Sequence, residues 1–168
     1  MTSYVAMLRA VNVAGTAKLP MAEYMAIGVG CGFSNVRTFI ASGNLLFDSD
    51  LTEPEVAKCV ADRVEAFFGK PVPLFVRSAP EMAAVVAGNP FEDDKPSRVI
   101  AHFIAEPPTA AMLAEARDVV GERMALGPRM IYVSYGEGIG KTRLKLPAVR
   151  HGTARNLNSV ARMATLLA

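Results

Sequence analysis

The chain has 168 residues, of which 51% are hydrophobic and 20% are charged, and its formal net charge is +2. These proportions are typical of a globular protein and exclude an intrinsically disordered one. No apolar run reaches the roughly 18 residues that a membrane span needs, and no basic region precedes the N-terminal apolar stretch, so we expect a cytoplasmic protein.

The first part of the chain predicts a strand, a helix and a pair of strands. Residues 3–11 are mostly apolar and predict a buried strand. Pro20 lies near the start of the next helix, and Gly30 and Gly32 offer its C-terminal end. The stretch "NVRTFIASGNLLFDS" then predicts two strands joined by a turn at residues 42–44, because Gly and Asn tolerate the positive φ of a tight turn.

The clearest helix lies in "TEPEVAKCVADRVEAFFG". Thr52 and Glu55 match a capping box, valines recur at helical spacing, and Gly69 ends the helix. The strand "VPLFVRS" follows. Residues 1–78 therefore predict the order βαββαβ, which is that of a ferredoxin-like plait.

The segment "GNPFEDDKPS" predicts a boundary between two subdomains. It follows a short predicted helix at residues 80–87, and its two prolines and three acidic residues are typical of an exposed loop. We therefore expect an α+β protein in which a ferredoxin-like subdomain at residues 1–88 packs against a smaller α/β subdomain at residues 89–168.

The second half of the chain predicts a similar order of strands and helices, with less regular spacing. Residues 99–105 predict a strand, residues 109–120 predict a helix with Val120 facing inward, and a hairpin follows with its turn at Gly127-Pro128. A final helix from about Asn156 to Leu167 is expected to pack back on the first subdomain.

Charge is distributed unevenly along the chain. Residues 129–168 contain seven basic side chains and one acidic side chain, Glu137, which gives this segment a balance of +6. Such asymmetry favours an anionic partner for the C-terminal quarter. The alternative is a solvated basic face without a ligand.

The glycine-rich segment "GEGIGKTRLKL" resembles a phosphate-binding loop but does not match one. A P-loop has four residues between its first glycine and the Gly-Lys pair, whereas here three separate Gly136 from Gly140, and Pro147 interrupts the helix that should follow. Glycines still let the backbone approach an anion, with Lys141, Arg143 and Lys145 beside it. The alternative is a flexible loop with solvated cations.

The segment "GTARNLNS" predicts a second anion-binding element. Thr153 or Asn156 can cap the last helix, which places Arg155 at or beside the helix N-terminus. A cation is unfavourable at the positive end of the helix dipole, and an anion between Arg155 and the free N–H groups would reverse that effect. Alternatively, Arg155 points away to a carboxylate.

Further polar residues lie near the end of the first predicted strand and at the predicted turn. Arg9 and Asn12 lie near that strand's C-terminal end, and Lys18 follows, while Ser42 and Asn44 lie in the turn. The alternatives are that Arg9 pairs with a carboxylate near the core and that Ser42 and Asn44 hold turn geometry.

The sequence offers few candidate residues for catalysis or metal binding. His102 lies in an apolar strand and is interpreted as structural, whereas His151, beside Arg150, is the better candidate for acid–base chemistry. Cys31 and Cys59 form no CxxC pair, suggest neither a zinc site nor a disulfide framework, and are interpreted as packing residues. We expect no metal and no cofactor.

Several stretches resemble a bacterial family known as domain of unknown function 1697. They are "YVAMLRAVNVAG", "LPMAEY", "GFSNVRTFIASGNLLFDS", "GNPF", "GEGIGKTRL" and "TARNLNSV", and they span nearly the whole chain. The resemblance implies an α+β protein with a ferredoxin-like first half and a second α/β subdomain, but no activity.

The family's motifs fall on Arg9, Asn12, Gly15, Arg37, Thr38, Ser42, Gly43, Asn44, Gly140, Lys141, Thr153, Arg155 and Asn156. The chain departs from the family at Ala10 and Ala14, where glycine is usual, and at Leu157, where tryptophan is usual. These departures argue against a nucleotide-specific site.

Three hypotheses for function follow. The first is binding of an anionic, phosphate-bearing small molecule or a nucleic-acid backbone in a cleft between the two halves. The second is a small enzyme acting on an anionic substrate with His151 as acid or base, and the third is a non-catalytic structural or interaction protein. The predicted binding residues are Arg9, Asn12, Lys18, Ser42, Asn44, Lys141, Arg143, Arg155 and Asn156, and we expect Arg155 and Lys141 to approach the same cleft.

Overall fold

The computed structural model describes residues 1–11, 18–40 and 43–168. Within these ranges the chain is an α+β protein with two four-stranded antiparallel sheets. It divides into two compact units, which we call the first unit (Met1–Pro80 with Thr165–Ala168) and the second unit (Glu81–Ala164). None of the helices in the described ranges has the length and apolar character needed to cross a membrane.

The first unit contains one sheet with the strand order β2-β3-β1-β4. At its centre, Val5 of β1 lies opposite Leu46 of β3 on one side and Arg77 of β4 on the other. The elements follow one another as β1 (Thr2–Leu8), α1 (Met21–Gly30), β2 (Ser34–Thr38), β3 (Asn44–Ser49), α2 (Glu53–Phe68) and β4 (Leu74–Ser78). The predicted order of elements in this part of the chain is therefore confirmed.

Helix α2 forms where its sequence pattern predicts it. Glu55 accepts a hydrogen bond from the backbone N–H of Thr52 at 2.8 Å, which completes the capping box and lowers the pKa of Glu55. Val56, Val60 and Val64 recur at helical spacing, are fully buried and belong to the core of the first unit. Capping fixes where this helix starts, and burial of one face holds it in place.

The two cysteines form a disulfide, so the prediction of two separate packing residues is wrong. Cys31 directly follows α1 and Cys59 lies within α2, and their Cα atoms are 6.0 Å apart. The absence of a CxxC motif does not exclude a disulfide, because the packing of two helices brings together residues that are 28 positions apart in sequence.

The second unit contains a sheet with the strand order β6-β7-β5-β8. Strand for strand, this is the order of the first sheet. The elements are α3 (Ala79–Ala87), β5 (Val99–Phe103), α4 (Ala110–Ala114), β6 (Arg123–Gly127), β7 (Met130–Ser134), β8 (Thr153–Asn156) and α5 (Leu157–Leu167). The predicted hairpin is present, and its strands β6 and β7 pair from Gly127 with Met130 outward.

Helix α3 lies mostly in the second unit. The Tyr132 hydroxyl donates to the backbone oxygen of Val85 at 2.6 Å, and Arg129 forms an ion pair with Glu81 at 2.8 Å. These contacts tie the helix to strand β7 and its preceding turn. The division between the units therefore falls just inside the start of α3, whereas the sequence predicted it after this helix.

Helix α4 is much shorter than the predicted helix at residues 109–120. It ends at Ala114, and Val120, predicted to face inward, is 78% exposed. Arg117 instead pairs with Lys145 as an isolated antiparallel β-bridge, and Asp118 has φ of 57°, outside the helical region. Pairing with a distant segment overrides the helical periodicity of residues 115–120.

Candidate functional site

The connection between β7 and β8, residues 135–152, occupies the position in the fold that α2 occupies in the first unit. Instead of a long helix it contains two short 3-10 turns, Ile139–Lys141 and Pro147–Val149. Leu146 is buried in the core of the second unit, and Leu144 and Val149 pack against that core. The irregular backbone between these anchor points leaves polar groups available to a ligand.

The glycine-rich part of this connection is held at its start. The Tyr135 N–H donates to the backbone oxygen of Arg98 at 2.9 Å, and Arg98 Nη1 donates to the backbone oxygen of Gly136 at 2.6 Å. Gly136 and Gly138 have φ of 45° and 108°, a region that favours glycine, and no heavy atom lies within 4 Å of a Cβ built at either position. Hydrogen bonds thus fix the start of the loop, and there is space beside the backbone at its glycines.

A cavity of about 540 Å³ lies along this loop. Its basic side chains are Lys141 and Arg143, and its acidic side chains are Glu122 and Glu137. The remaining lining residues are Val120, Gly121, Tyr135, Gly136, Gly138 and Thr142. The volume lies within the usual range for small-molecule sites.

The two acidic groups of the cavity differ in their surroundings. Glu122 accepts hydrogen bonds from the Thr142 hydroxyl at 2.7 Å and from the Val120 N–H at 2.6 Å, and these bonds hold its pKa below the ordinary value. Glu122 is therefore a structural clamp that joins residues 120–122 to the loop. Glu137 is exposed.

The two basic groups of the cavity, Lys141 and Arg143, differ from the acidic ones in their contacts. Lys141 and Arg143 are both exposed, and neither forms an ion pair within 4.0 Å with any residue that the structure describes. They can therefore donate to a ligand without first breaking an ion pair.

Tyr135 and His102 form a neutral hydrogen-bonded pair behind the cavity. The His102 Nε2 and the Tyr135 hydroxyl are 3.0 Å apart. Burial lowers the pKa of His102 to about 4, and burial together with the Glu122 carboxylate raises the pKa of Tyr135 to about 12. Both groups are uncharged at neutral pH, so the pair supports the cavity wall without adding charge.

Arg155 lies beside the N-terminus of helix α5, directly before its capping residue Asn156, as predicted, but its side chain is buried in strand β8. It lies in β8 opposite Ala101 of β5, it is 7% exposed, and its Nη1 donates to the Thr153 hydroxyl at 2.7 Å and to the Ala154 backbone oxygen at 2.9 Å. Among the described residues that line the cavity, Lys141 is present and Arg155 is not. The structure therefore does not bring Arg155 to the Lys141 cavity.

Two other predicted residues near the C-terminus have separate positions. Asn156 accepts a hydrogen bond from the backbone N–H of Ser159 at 2.9 Å and so caps helix α5, as one of the two capping alternatives predicted. His151 is exposed in the turn before β8 and does not line the cavity described above.

The structure describes three of the five predicted binding residues in the first part of the chain. Arg9 is half-buried just after β1, and its N–H donates to the Pro73 backbone oxygen at 3.0 Å; Lys18 is exposed. Asn44 is buried at the start of β3, and its side-chain amide donates to the Phe39 backbone oxygen at 2.9 Å. Asn12 and Ser42 lie outside the described residues.

Sequence reasoning missed Glu122, Thr142 and Tyr135 as parts of the site. Tyr135 precedes the glycine-rich segment and has no motif of its own, and Glu122 lies 20 residues from its Thr142 partner. No local pattern signals such a pair. Within the ranges that the structure describes, no cluster of three or more His, Cys, Asp or Glu residues could hold a metal ion, and no histidine or cysteine lines the cavity.

Comparison with known proteins gives a family and a fold. The family described as "Protein of unknown function (DUF1697)" matches residues 1–132. A solved structure, that of the conserved bacterial protein SP0830 from Streptococcus pneumoniae, is similar with a TM-score of 0.77 and 24% sequence identity, covering 99% of each chain. No curated protein matches the sequence.

Proposed function

Since the chain belongs to the DUF1697 family, whose description states no function, we propose from its own geometry that it binds an anionic, phosphate-bearing ligand at the glycine-rich loop. The ligand is a phosphorylated small molecule or a nucleic-acid backbone. One observation carries the proposal: Lys141 and Arg143 line a cavity of about 540 Å³ and make no ion pair within the described part of the chain.

The glycines strengthen this proposal. An oxygen atom can approach the backbone at Gly136 and Gly140, because these residues have no side chain and no heavy atom outside the neighbouring residues lies within 4 Å of a Cβ built there. The Gly138 N–H already donates to the Tyr135 backbone oxygen at 2.8 Å. The two cations then supply charge-assisted hydrogen bonds beside that backbone. Phosphate oxygens suit both kinds of contact.

Glu122 and Glu137 determine how the ligand is oriented. Their charges offset those of Lys141 and Arg143, so the cavity as a whole does not attract anions of every kind. Because the carboxylate of Glu122 is occupied by Thr142 and Val120, the anionic end of the ligand lies on the side of Lys141 and Arg143. Repulsion from the acidic side then contributes specificity.

Binding is measured by calorimetric titration with inorganic phosphate and nucleotides and by polarisation of a labelled single-stranded RNA at several salt concentrations. Lys141→Gln/Arg143→Gln is compared with Lys70→Gln/Arg63→Gln, which removes two exposed cations of the first unit. We expect only the first variant to lose affinity. For RNA, losing two phosphate contacts should reduce the salt slope by about 1.4.

Two results would contradict the proposal. One is a wild-type protein that binds none of these ligands, and the other is equal affinity for wild type and Lys141→Gln/Arg143→Gln. The participation of Arg9 and Lys18 stays a prediction, and Arg9→Gln in the same titration tests it.

We also infer that the first unit is a ferredoxin-like plait. Its element order βαββαβ and its antiparallel strand order β2-β3-β1-β4 support this assignment.

A further inference from the structure

A second cavity in the second unit is lined by cations outside the predicted set of binding residues. It has a volume of about 460 Å³ and is lined by Arg117, Lys145, Leu146, Pro147 and Arg150. Three of the five lining residues are basic and none is acidic. This balance differs from that of the glycine-loop cavity, where two carboxylates oppose two cations.

The backbone holds two of these cations next to each other. The Arg117 N–H donates to the Lys145 backbone oxygen and the Lys145 N–H donates to the Arg117 backbone oxygen, both at 2.9 Å. Residues that exchange both hydrogen bonds in an antiparallel bridge lie directly opposite, with their side chains on the same side. The bridge therefore fixes two positive side chains as neighbours.

Two like charges placed side by side in this way repel each other unless an anion lies between them. Arg117 and Lys145 are both exposed, and across the described ranges neither makes an ion pair within 4.0 Å. Glu115 and Asp118, the nearest acidic residues along the chain to Arg117, do not line the cavity. An anion between the two cations would turn this repulsion into two attractive contacts.

The third cation comes from the turn that follows Lys145. Pro147–Val149 forms a 3-10 turn, and the Arg150 N–H donates to the Pro147 backbone oxygen at 3.1 Å. Proline fixes φ at the start of this turn, so the position of Arg150 relative to Lys145 is set by a short, constrained connection. Buried Leu146 anchors the same connection in the core.

We propose that this cavity, which we call the three-cation pocket (Arg117, Lys145, Leu146, Pro147, Arg150), binds the diphosphate or polyphosphate group of a small molecule. Arginine guanidinium groups bind phosphate oxygens in a bidentate manner, and lysine contributes a third positive charge. A diphosphate has oxygens enough to reach all three cations, whereas a single phosphate does not require three. None of the described residues that line the pocket is aromatic, so recognition is of the phosphates and not of a stacked base.

The three-cation pocket shares no lining residue with the glycine-loop cavity. Variants can therefore separate the two sites. Lys141→Gln/Arg143→Gln removes the cations of the glycine loop, Arg117→Gln/Lys145→Gln removes the bridged pair, and Arg150→Gln removes the third cation alone.

The test is calorimetric titration with inorganic pyrophosphate and tripolyphosphate at constant ionic strength, with inorganic phosphate for comparison. We expect wild type to bind pyrophosphate more tightly than phosphate. Arg117→Gln/Lys145→Gln should bind it at least roughly tenfold more weakly, because each lost charge-assisted hydrogen bond is worth a factor of that order. Lys70→Gln/Arg63→Gln, which removes two exposed cations of the first unit, should bind pyrophosphate as wild type does.

Stability of the unliganded variants provides a second measurement. Because removing like charges relieves repulsion, Arg117→Gln/Lys145→Gln without ligand should unfold at the same or a higher urea concentration than wild type. A purely structural role for the two side chains predicts a lower one.

Three outcomes would overturn the proposal. They are absence of pyrophosphate binding by wild type, unchanged binding by Arg117→Gln/Lys145→Gln, and loss of binding in Lys141→Gln/Arg143→Gln alone. The last outcome would place the diphosphate at the glycine loop and would support the function proposed there.

Discussion

Removing the Cys31–Cys59 disulfide is expected to destabilise the first unit. The bond joins the residue that follows α1 to the middle of α2, and it closes a loop that contains β2 and β3. Cutting it leaves these elements intact in the folded protein but releases the loop in the unfolded chain. The effect on stability therefore comes mainly from the unfolded state.

The size of this effect follows from the length of the loop. The two cysteines are 28 residues apart in sequence. In the chain-entropy treatment, a loop of this length corresponds to about 3.6 kcal/mol of unfolding free energy at room temperature. This is a large share of the stability of an ordinary domain, which is about 5–15 kcal/mol.

The assay is urea unfolding followed by circular dichroism, with the oxidised protein compared with the fully reduced one. We expect the free energy of unfolding to fall by about 2–4 kcal/mol on reduction. The control is Cys31→Ala/Cys59→Ala, which should be as unstable as the reduced protein and should not respond to reductant. Equal urea midpoints for oxidised and reduced protein, or two free thiols in the native protein without reductant, would refute the reasoning.

Three further predictions concern single residues. Burial lowers the pKa of His102 from 6.5 to about 4 in the folded protein, so the unfolded chain binds the proton more readily. The stability present above pH 6.5 should therefore fall by about 3 kcal/mol as the pH drops to 4. Urea unfolding at stepwise pH measures this fall. Asn156→Ala should cost about 1 kcal/mol in the same assay, because Ser159 N–H loses its cap. Gly152→Ala should cost about 1–3 kcal/mol, because the new Cβ would clash with the Phe103 backbone oxygen.

Each of these predictions has a matched control. His102→Phe should show a shallower fall in stability between pH 6.5 and 5, above the range in which the carboxylates titrate, and an unchanged slope would contradict the assignment to His102. Asn156→Ser should retain most of the stability lost in Asn156→Ala. Gly140→Ala should be nearly neutral, since no heavy atom lies within 4 Å of its Cβ position; an equal cost at both glycines would argue against the close contact.

Much of the fold follows from local sequence patterns. The capping box of Thr52 and Glu55 and the valine stripe of α2 predict that helix, and the turn at Gly127-Pro128 predicts the hairpin of β6 and β7. These signals lie within a few residues of one another, so they act before any distant contact forms. Lys141 and Arg143 were also predicted as binding residues from the composition of one short loop.

Pairings between distant segments could not be predicted in the same way. The periodicity of residues 109–120 favours a helix, but two backbone hydrogen bonds to Lys145 end it and place Arg117 beside another cation. Likewise, β8 holds Arg155 opposite Ala101 of β5, a pairing that the residues around Arg155 did not predict. A strand or bridge is stabilised by hydrogen bonds to a segment that can lie anywhere in the chain, whereas a helix forms its backbone hydrogen bonds internally. For this reason the sequence pattern of helix α2 predicted that helix, but no pattern predicted that two cations would be paired.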